Sequence, residues 1–194
     1  MMDFSADQRA AILNLARELI REALRGSPRA LPWEPAPLFR EPAGCFVSLH
    51  SIGGRRLRGC VGRIDATQPL IEALKSAARH VLEDPRFTAD PVCLHELPDL
   101  ELEVSVLSPA RPAEHPLDFD PLRHGIYLTF GGRTGCFLPQ VARETGWTKE
   151  QLLERLCVEK LGLPAIAWRH PQARLHVFSV AVVGPEPFEA RGGT

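Results

Sequence analysis

The chain has 194 residues, of which 44% are hydrophobic and 24% charged, and its formal net charge is −1. This length and composition predict a folded globular protein with one sizeable core, or a core plus a small subdomain. The balanced charge excludes a global basic field that would draw the chain to DNA, RNA or anionic lipid, so any phosphate recognition must be local.

The cysteines and the N-terminus indicate a cytoplasmic protein. No signal-peptide core follows Met1-Met2-Asp3-Phe4, and no apolar run approaches the ~18 residues of a membrane span. We therefore expect reduced thiols and no membrane partner. The five cysteines are widely spaced: Cys45, Cys60, Cys93, Cys136 and Cys157.

The first element is a helix that begins at a capping box formed by Ser5 and Gln8. Apolar residues follow at helical spacing, and Gly26 with Pro28 ends the helix near residue 25. The prolines between residues 28 and 42 exclude regular structure. Because Trp33 lies among them, we expect this loop to pack on the core.

The next elements form a β-hairpin and a helix. Cys45–Ile52 is predicted as a strand, Gly53-Gly54 as the turn and Arg55–Val61 as the return strand. Cys60 would then lie where the return strand runs out into a loop. A helix opens after Pro69 and ends before Asp84-Pro85-Arg86-Phe87.

The second half begins with the clearest strand, Leu100–Leu107, which carries Glu101 and Glu103 on one face. The later elements are predicted in this order: a hairpin of Ile126–Phe130 and Gly135–Leu138 around Gly131-Gly132-Arg133-Thr134, a short helix from Pro139 to Gly146, a helix from the capping box of Thr148 and Gln151 to Gly162, a strand Arg174–Val183, and a loose tail Gly184–Thr194. Hairpins outnumber βαβ crossovers, which favours an α+β fold with a mainly antiparallel sheet flanked by helices.

The segment Arg55–Arg63 combines groups that can carry chemistry, because it contains Cys60 together with two glycines and four arginines. Gly59 and Gly62 permit backbone angles that could turn N–H groups toward one point, and nearby guanidinium groups favour a thiolate. Arg58 and Arg63 would stabilise negative charge. Three interpretations stay open: an anion site, a nucleophile, or a tight turn beside a basic surface.

Catalysis by Cys60 would require a proton acceptor, and His50 is the first candidate because its strand belongs to the same hairpin. Glu101 and Glu103 are spaced for acid–base work or a metal, or simply face solvent, and Arg86 is expected to pair with one of them. Cys93-Leu94-His95 is an isolated pair without zinc-site spacing, so we expect no metal and no cofactor.

Four motifs in order resemble the AMMECR-type domain family, called AmmeMemoRadiSam system protein A in prokaryotes. They are Leu57–Gly62, Asp84–Phe87, Glu103–Pro109 and Leu138–Val141. The resemblance runs from Ala10 to Phe178, which predicts a single AMMECR-type domain over residues 1–194 with its core at about 10–183.

The resemblance implies large and small subdomains with a cleft between them, near which Arg58, Gly59, Gly62, Arg63 and Arg86 would bind a ligand. It also implies two partners, a Memo-like relative of extradiol dioxygenases and a radical S-adenosylmethionine enzyme. Arg63 departs from the small or hydroxyl residue expected after the last glycine of the motif.

Three functions remain open from the sequence. The chain is an enzyme acting through Cys60 on a small anionic or nucleic-acid-derived substrate, or a non-catalytic adaptor or substrate-binding module for the two partners. The third, binding of RNA through Arg55–Arg63, lacks an aromatic stacking set.

Overall fold

The computed structural model describes residues 3–26, 36–53 and 56–189. These residues form two compact units: a large unit of residues 3–107 and 181–189, and a small unit of residues 108–180. Each unit contains helices and strands, and the strand pairs with a defined register are antiparallel. The predicted α+β fold with antiparallel sheet is therefore confirmed, while the cleft stays a prediction.

Two helices cover the sheet of the large unit. Their bounds are Ala6–Arg25 for α1 and Leu70–His80 for α2. The predicted capping box of Ser5 and Gln8 is present, and Gly26 ends α1 in the left-handed conformation. The buried faces of α1 and α2 pack against each other and against the strands of this unit. None of the helices in the described ranges is long and apolar enough to cross a bilayer.

The strands of the large unit run in the order β2, β1, β3 and the last part of β7. Their bounds are Gly44–Ser51 for β1, Leu57–Arg63 for β2, Leu100–Leu107 for β3 and Arg174–Pro187 for β7. The bounds of β3 equal the prediction. The turn residues Gly54 and Arg55 lie outside the described ranges. One face of β1 buries Cys45, Val47 and Leu49, so Ser48 and its alternate neighbours occupy the other face.

The small unit pairs the first part of β7 with a hairpin and with a short strand. The bounds are Arg111–Pro112 for β4, His124–Phe130 for β5, Arg133–Phe137 for β6, Pro139–Thr145 for α3 and Lys149–Arg155 for α4. Gly131 and Gly132 both have positive φ, 59° and 74°, which is the turn that joins strands with right-handed twist. The unit has its own apolar core, including Ile126, Leu153 and Trp168.

The prediction for the C-terminal tail is wrong, and part of the prediction for the proline loop lies outside the described residues. The tail was predicted to be loose from Gly184, but β7 continues to Pro187 and the side chain of Phe188 is fully buried. The backbone N–H of Phe188 donates to the Leu100 carbonyl at 2.8 Å, so burial and this bond order the segment. In the proline loop, Phe39 is buried, while the predicted packing of Trp33 falls outside the described residues.

Candidate functional site

Cys60 lies in the middle of β2, and the prediction that it marks the start of a loop is wrong. The strand runs from Leu57 to Arg63, and Cys60 is paired with Ser48 of β1. Gly59 and Gly62 allow the strand to continue on both sides of Cys60, because a side chain at either position would collide with a neighbouring segment. A Cβ atom on Gly59 would lie 2.6 Å from the carbonyl oxygen of Val81, and one on Gly62 would overlap the backbone of Cys45. Both glycines permit close backbone packing.

The predicted turning of N–H groups toward one anion is therefore also wrong. Neither Gly59 nor Gly62 has a positive φ. The N–H of Cys60 instead donates to Oδ2 of Asp84 at 3.0 Å, and its carbonyl accepts from Nη2 of Arg86 at 3.2 Å. Because β2 is an edge strand, the Asp84–Arg86 pair covers backbone groups that would otherwise be unpaired.

Asp84 and Arg86 form a two-pronged ion pair, so the predicted pairing of Arg86 with Glu101 or Glu103 is wrong. Nη2 and Nε of Arg86 lie 2.6 and 3.0 Å from the two carboxylate oxygens of Asp84. These bonds, with the N–H groups of Cys60 and Arg86, hold the pKa of Asp84 well below its ordinary value although the side chain is only 3% exposed. Arg86 itself is 55% exposed and interacts electrostatically with the Cys60 thiol.

Arg58 and Arg63, the other two cations predicted to bind a ligand, each form an ion pair within the chain. Arg58 is 3% exposed, donates from Nη2 to Glu96 at 2.9 Å, and places Nη1 3.2 Å from a carboxylate oxygen of Asp90. Arg63 is at the surface and pairs with Asp65 at 2.7 Å. An RNA-binding stripe along Arg55–Arg63 is not supported, since Arg58 is buried and Arg56 pairs with Asp90. Arg55 lies outside the described residues.

A row of polar side chains crosses three strands on the face that carries Cys60. Ser48 of β1 is paired with Cys60 on one side and with Glu103 of β3 on the other, so all three side chains share a face. The Ser48 hydroxyl donates to the Cys60 sulfur at 3.2 Å. Burial raises the pKa of Glu103, and the nearby charge of His50 partly opposes that shift.

His50 is placed beside the carboxylates of β3. Its strand partners are Glu101 on β3 and Leu57 on β2. Within the described part of the chain it makes no hydrogen bond to Cys60. The interpretation that His50 is the direct base for the thiol is therefore not supported by the geometry, which places Ser48 in that position.

Sequence reasoning missed two residues of the site, Ser48 and Asp84. Ser48 could have been found from the alternation of β1, since it shares a face with His50. Asp84 stood in a recognised motif without a role, because nothing local indicates that its carboxylate reaches the backbone of β2.

The remaining thiols lie elsewhere. Cys45 and Cys157 are buried, and burial raises the pKa of Cys45 to about 12. Cys93 contacts the ring nitrogens of His95 at 3.2 and 3.3 Å. Across residues 3–26, 36–53 and 56–189, no group of three or more His, Cys, Asp or Glu side chains is arranged to hold a metal ion.

The polar row can support thiol chemistry. A hydroxyl that donates to sulfur stabilises a thiolate, and a carboxyl whose pKa is raised can take up and return a proton closer to neutral pH. Cys60 is a partly exposed residue on the edge strand of the sheet.

Comparisons with known proteins agree on one family. The family model described as AMMECR1 matches residues 13–183. A protein of Methanothermobacter thermautotrophicus is 39% identical, with 92% of this chain and 94% of that protein covered. Protein MJ0810 of Methanocaldococcus jannaschii is 36% identical, with 91% and 89% covered. The crystal structure of the uncharacterized protein PH0010 from Pyrococcus horikoshii is similar at a TM-score of 0.75 and 35% identity, covering 89% of this chain and 88% of that one.

Proposed function

Because the chain belongs to the AMMECR1 family and carries Cys60 in a polar row, we propose that it is an enzyme in which Cys60 is the nucleophile. The substrate is a small molecule with an electrophilic carbon and an anionic group. The observation that carries this proposal is the 3.2 Å contact between the Ser48 hydroxyl and the Cys60 sulfur, in register with Glu103.

The proposed steps use only groups of the large unit. The Cys60 thiol passes its proton through the Ser48 hydroxyl to the carboxylate of Glu103, and the thiolate then attacks the electrophilic carbon. A carbon–sulfur bond forms, the bond to the leaving group breaks, and Glu103 returns the proton to that group. Water then attacks the same carbon, the carbon–sulfur bond breaks, and Cys60 is restored as a thiol with a proton from that water. Arg86 binds the anionic part of the substrate, since its guanidinium is half-exposed and near the thiol.

The family resemblance supports a cellular context for this activity. We propose that the chain works in the cytoplasm beside a Memo-like protein and a radical S-adenosylmethionine enzyme, with Cys60 acting on a molecule that one of them makes or uses. The five described cysteines are free thiols, which is the expected state in that compartment.

The test is alkylation of Cys60 by iodoacetamide, followed by mass spectrometry across pH. Ser48→Ala should slow modification of Cys60 by about threefold to tenfold, because the thiolate loses one hydrogen bond. Ser105→Ala is the matched control, since Ser105 is a second buried serine on the same face and should leave the rate unchanged. The proposal fails if Cys60 reacts no faster than Cys93 and the two serine variants behave alike.

One observation favours a second function, that of a non-catalytic adaptor or substrate-binding module. Arg58 and Arg63 are paired within the chain and Asp84 holds the backbone of Cys60, so much of the motif already has a structural role. An adaptor should co-purify with the Memo-like partner equally well as wild type and as Cys60→Ser. Failure of the wild type to retain either partner would contradict this function.

A further inference from the structure

The outer edge of β2 is only partly covered. Asp84 and Arg86 occupy the outward N–H and C=O groups of Cys60. Because outward and inward backbone groups alternate along an antiparallel strand, the N–H and C=O of Gly62 point outward as well. No protein group in the described part of the chain bonds to them. β2 therefore presents one free pair of backbone groups next to an occupied pair.

The free groups of Gly62 line a cavity of about 320 Å³ within the large unit. Ala73 and Ala77 of α2 contribute apolar surface. His80 also lines the cavity, and its Nδ1 lies 2.8 Å from the Ser76 carbonyl, to which it can only donate. The cavity has room for a small group such as one amino-acid side chain beside an open strand edge.

The guanidinium of Arg86 lies at the boundary between the free backbone groups of Gly62 and the bonded backbone groups of Cys60. Arg86 uses Nε and Nη2 on Asp84 and on the Cys60 carbonyl, while Nη1 has no acceptor among the described residues. The side chain is 55% exposed, so an anionic ligand can reach Nη1. A guanidinium with a free N–H is a preferred partner for a carboxylate.

We propose that this edge binds the C-terminal residue of an extended peptide. The last residue of a peptide running antiparallel to β2 donates its N–H to the Gly62 carbonyl and accepts the Gly62 N–H with one carboxylate oxygen. The second carboxylate oxygen meets Arg86. The side chain of the last residue lies on the face of Cys60, because it pairs directly with Gly62, and the side chain of the residue before it enters the cavity beside Ala73 and Ala77.

The occupied groups of Cys60 explain why the ligand must end there. A longer strand would need the N–H and C=O of Cys60, which Asp84 and Arg86 already bond. The charge sets the direction, because a parallel peptide would bring its terminal ammonium against the guanidinium of Arg86. Binding at this edge uses backbone groups and Arg86, and it does not require Cys60 to be a nucleophile.

The experiment uses a library of fluorescein-labelled tetrapeptides with free C-terminal carboxylates, titrated with the full chain and followed by fluorescence anisotropy. Selected peptides should lose at least about tenfold in affinity when the carboxylate is amidated, and again in Arg86→Gln. Arg79→Gln is the matched control, since Arg79 is a surface arginine on α2 and should bind as wild type does.

Two further variants keep the result interpretable. Ser76→Trp fills the cavity without touching the Asp84–Arg86 pair and should abolish binding in a protein that still unfolds cooperatively. Cys60→Ser should bind unchanged, which separates this proposal from the proposed catalysis. On binding, the Gly62 amide should become protected from hydrogen exchange. The proposal is overturned if no library peptide binds below about 1 mM, or if amidated and free peptides bind equally.

Discussion

At the residue scale, Asp84 determines how the Cys60 region is built. Its carboxylate bonds to the backbone N–H of Cys60 and to the side chain and N–H of Arg86, and it is almost fully buried. The sequence indicated the Cys60 thiol as a candidate but not this partner. A carboxylate that accepts backbone and guanidinium donors from two segments is recognisable only when those segments are placed together.

Asp84→Asn should destabilise the protein by about 2–4 kcal/mol at pH 7, because the buried carboxylate accepts bonds from Cys60 and Arg86, and an amide would turn an NH2 group toward some of these N–H donors. The folded-state pKa of Asp84 is lowered, so its contribution is present above the ordinary value of 3.8 and is lost as pH falls below that value. Urea unfolding from pH 7 down to pH 3 should therefore show the difference between variant and wild type shrinking with acid.

The control for this prediction is Asp65→Asn, which removes a similar Asp–Arg pair at the surface. Its cost should stay below about 1 kcal/mol, since exposed pairs contribute little. Equal losses in the two variants, or a loss for Asp84→Asn that does not change with pH, would contradict the role assigned to Asp84.

At the element scale, most local predictions are confirmed. Both capping boxes and the bounds of β3 agree with the structure. The second hairpin turns at Gly131 and Gly132 as predicted, but β6 begins at Arg133, two residues earlier than expected. The return strand of the first hairpin was placed two residues too early, at 55–61 where the structure has 57–63. Glycine usually interrupts a strand, but here Gly59 and Gly62 allow β2 to approach Val81 and Cys45 closely.

Gly59→Ala should test this packing, with an expected loss of about 1–3 kcal/mol in the free energy of unfolding. The new Cβ would meet the Val81 carbonyl, a backbone group that cannot move without moving its segment. Chemical denaturation of this variant beside the wild type measures the loss, and a change below about 0.5 kcal/mol would refute the argument.

At the scale of the whole molecule, the family and the α+β class were predictable, and both are confirmed. The ordered structure of the C-terminal segment was not predictable from the sequence. Residues 184–187 lack a strong strand pattern, yet they extend β7, and Phe188 fills the core of the large unit beside the guanidinium of Arg21. Burial of one large aromatic ring orders a segment whose local sequence indicates a loose tail.

Near neighbours along the chain are enough to predict the helix caps, the alternation of β3, a glycine turn before β6 and the four family motifs. The groups that surround the Cys60 thiol depend on contacts between segments that are distant in the sequence. Ser48 contacts it through strand register, with Glu103 beside Ser48 on the next strand. Asp84 bonds to its backbone from another segment, and Arg58 is buried on Glu96 rather than free for a ligand. Strand pairing joins residues that no local periodicity connects, because register is fixed by packing across the sheet.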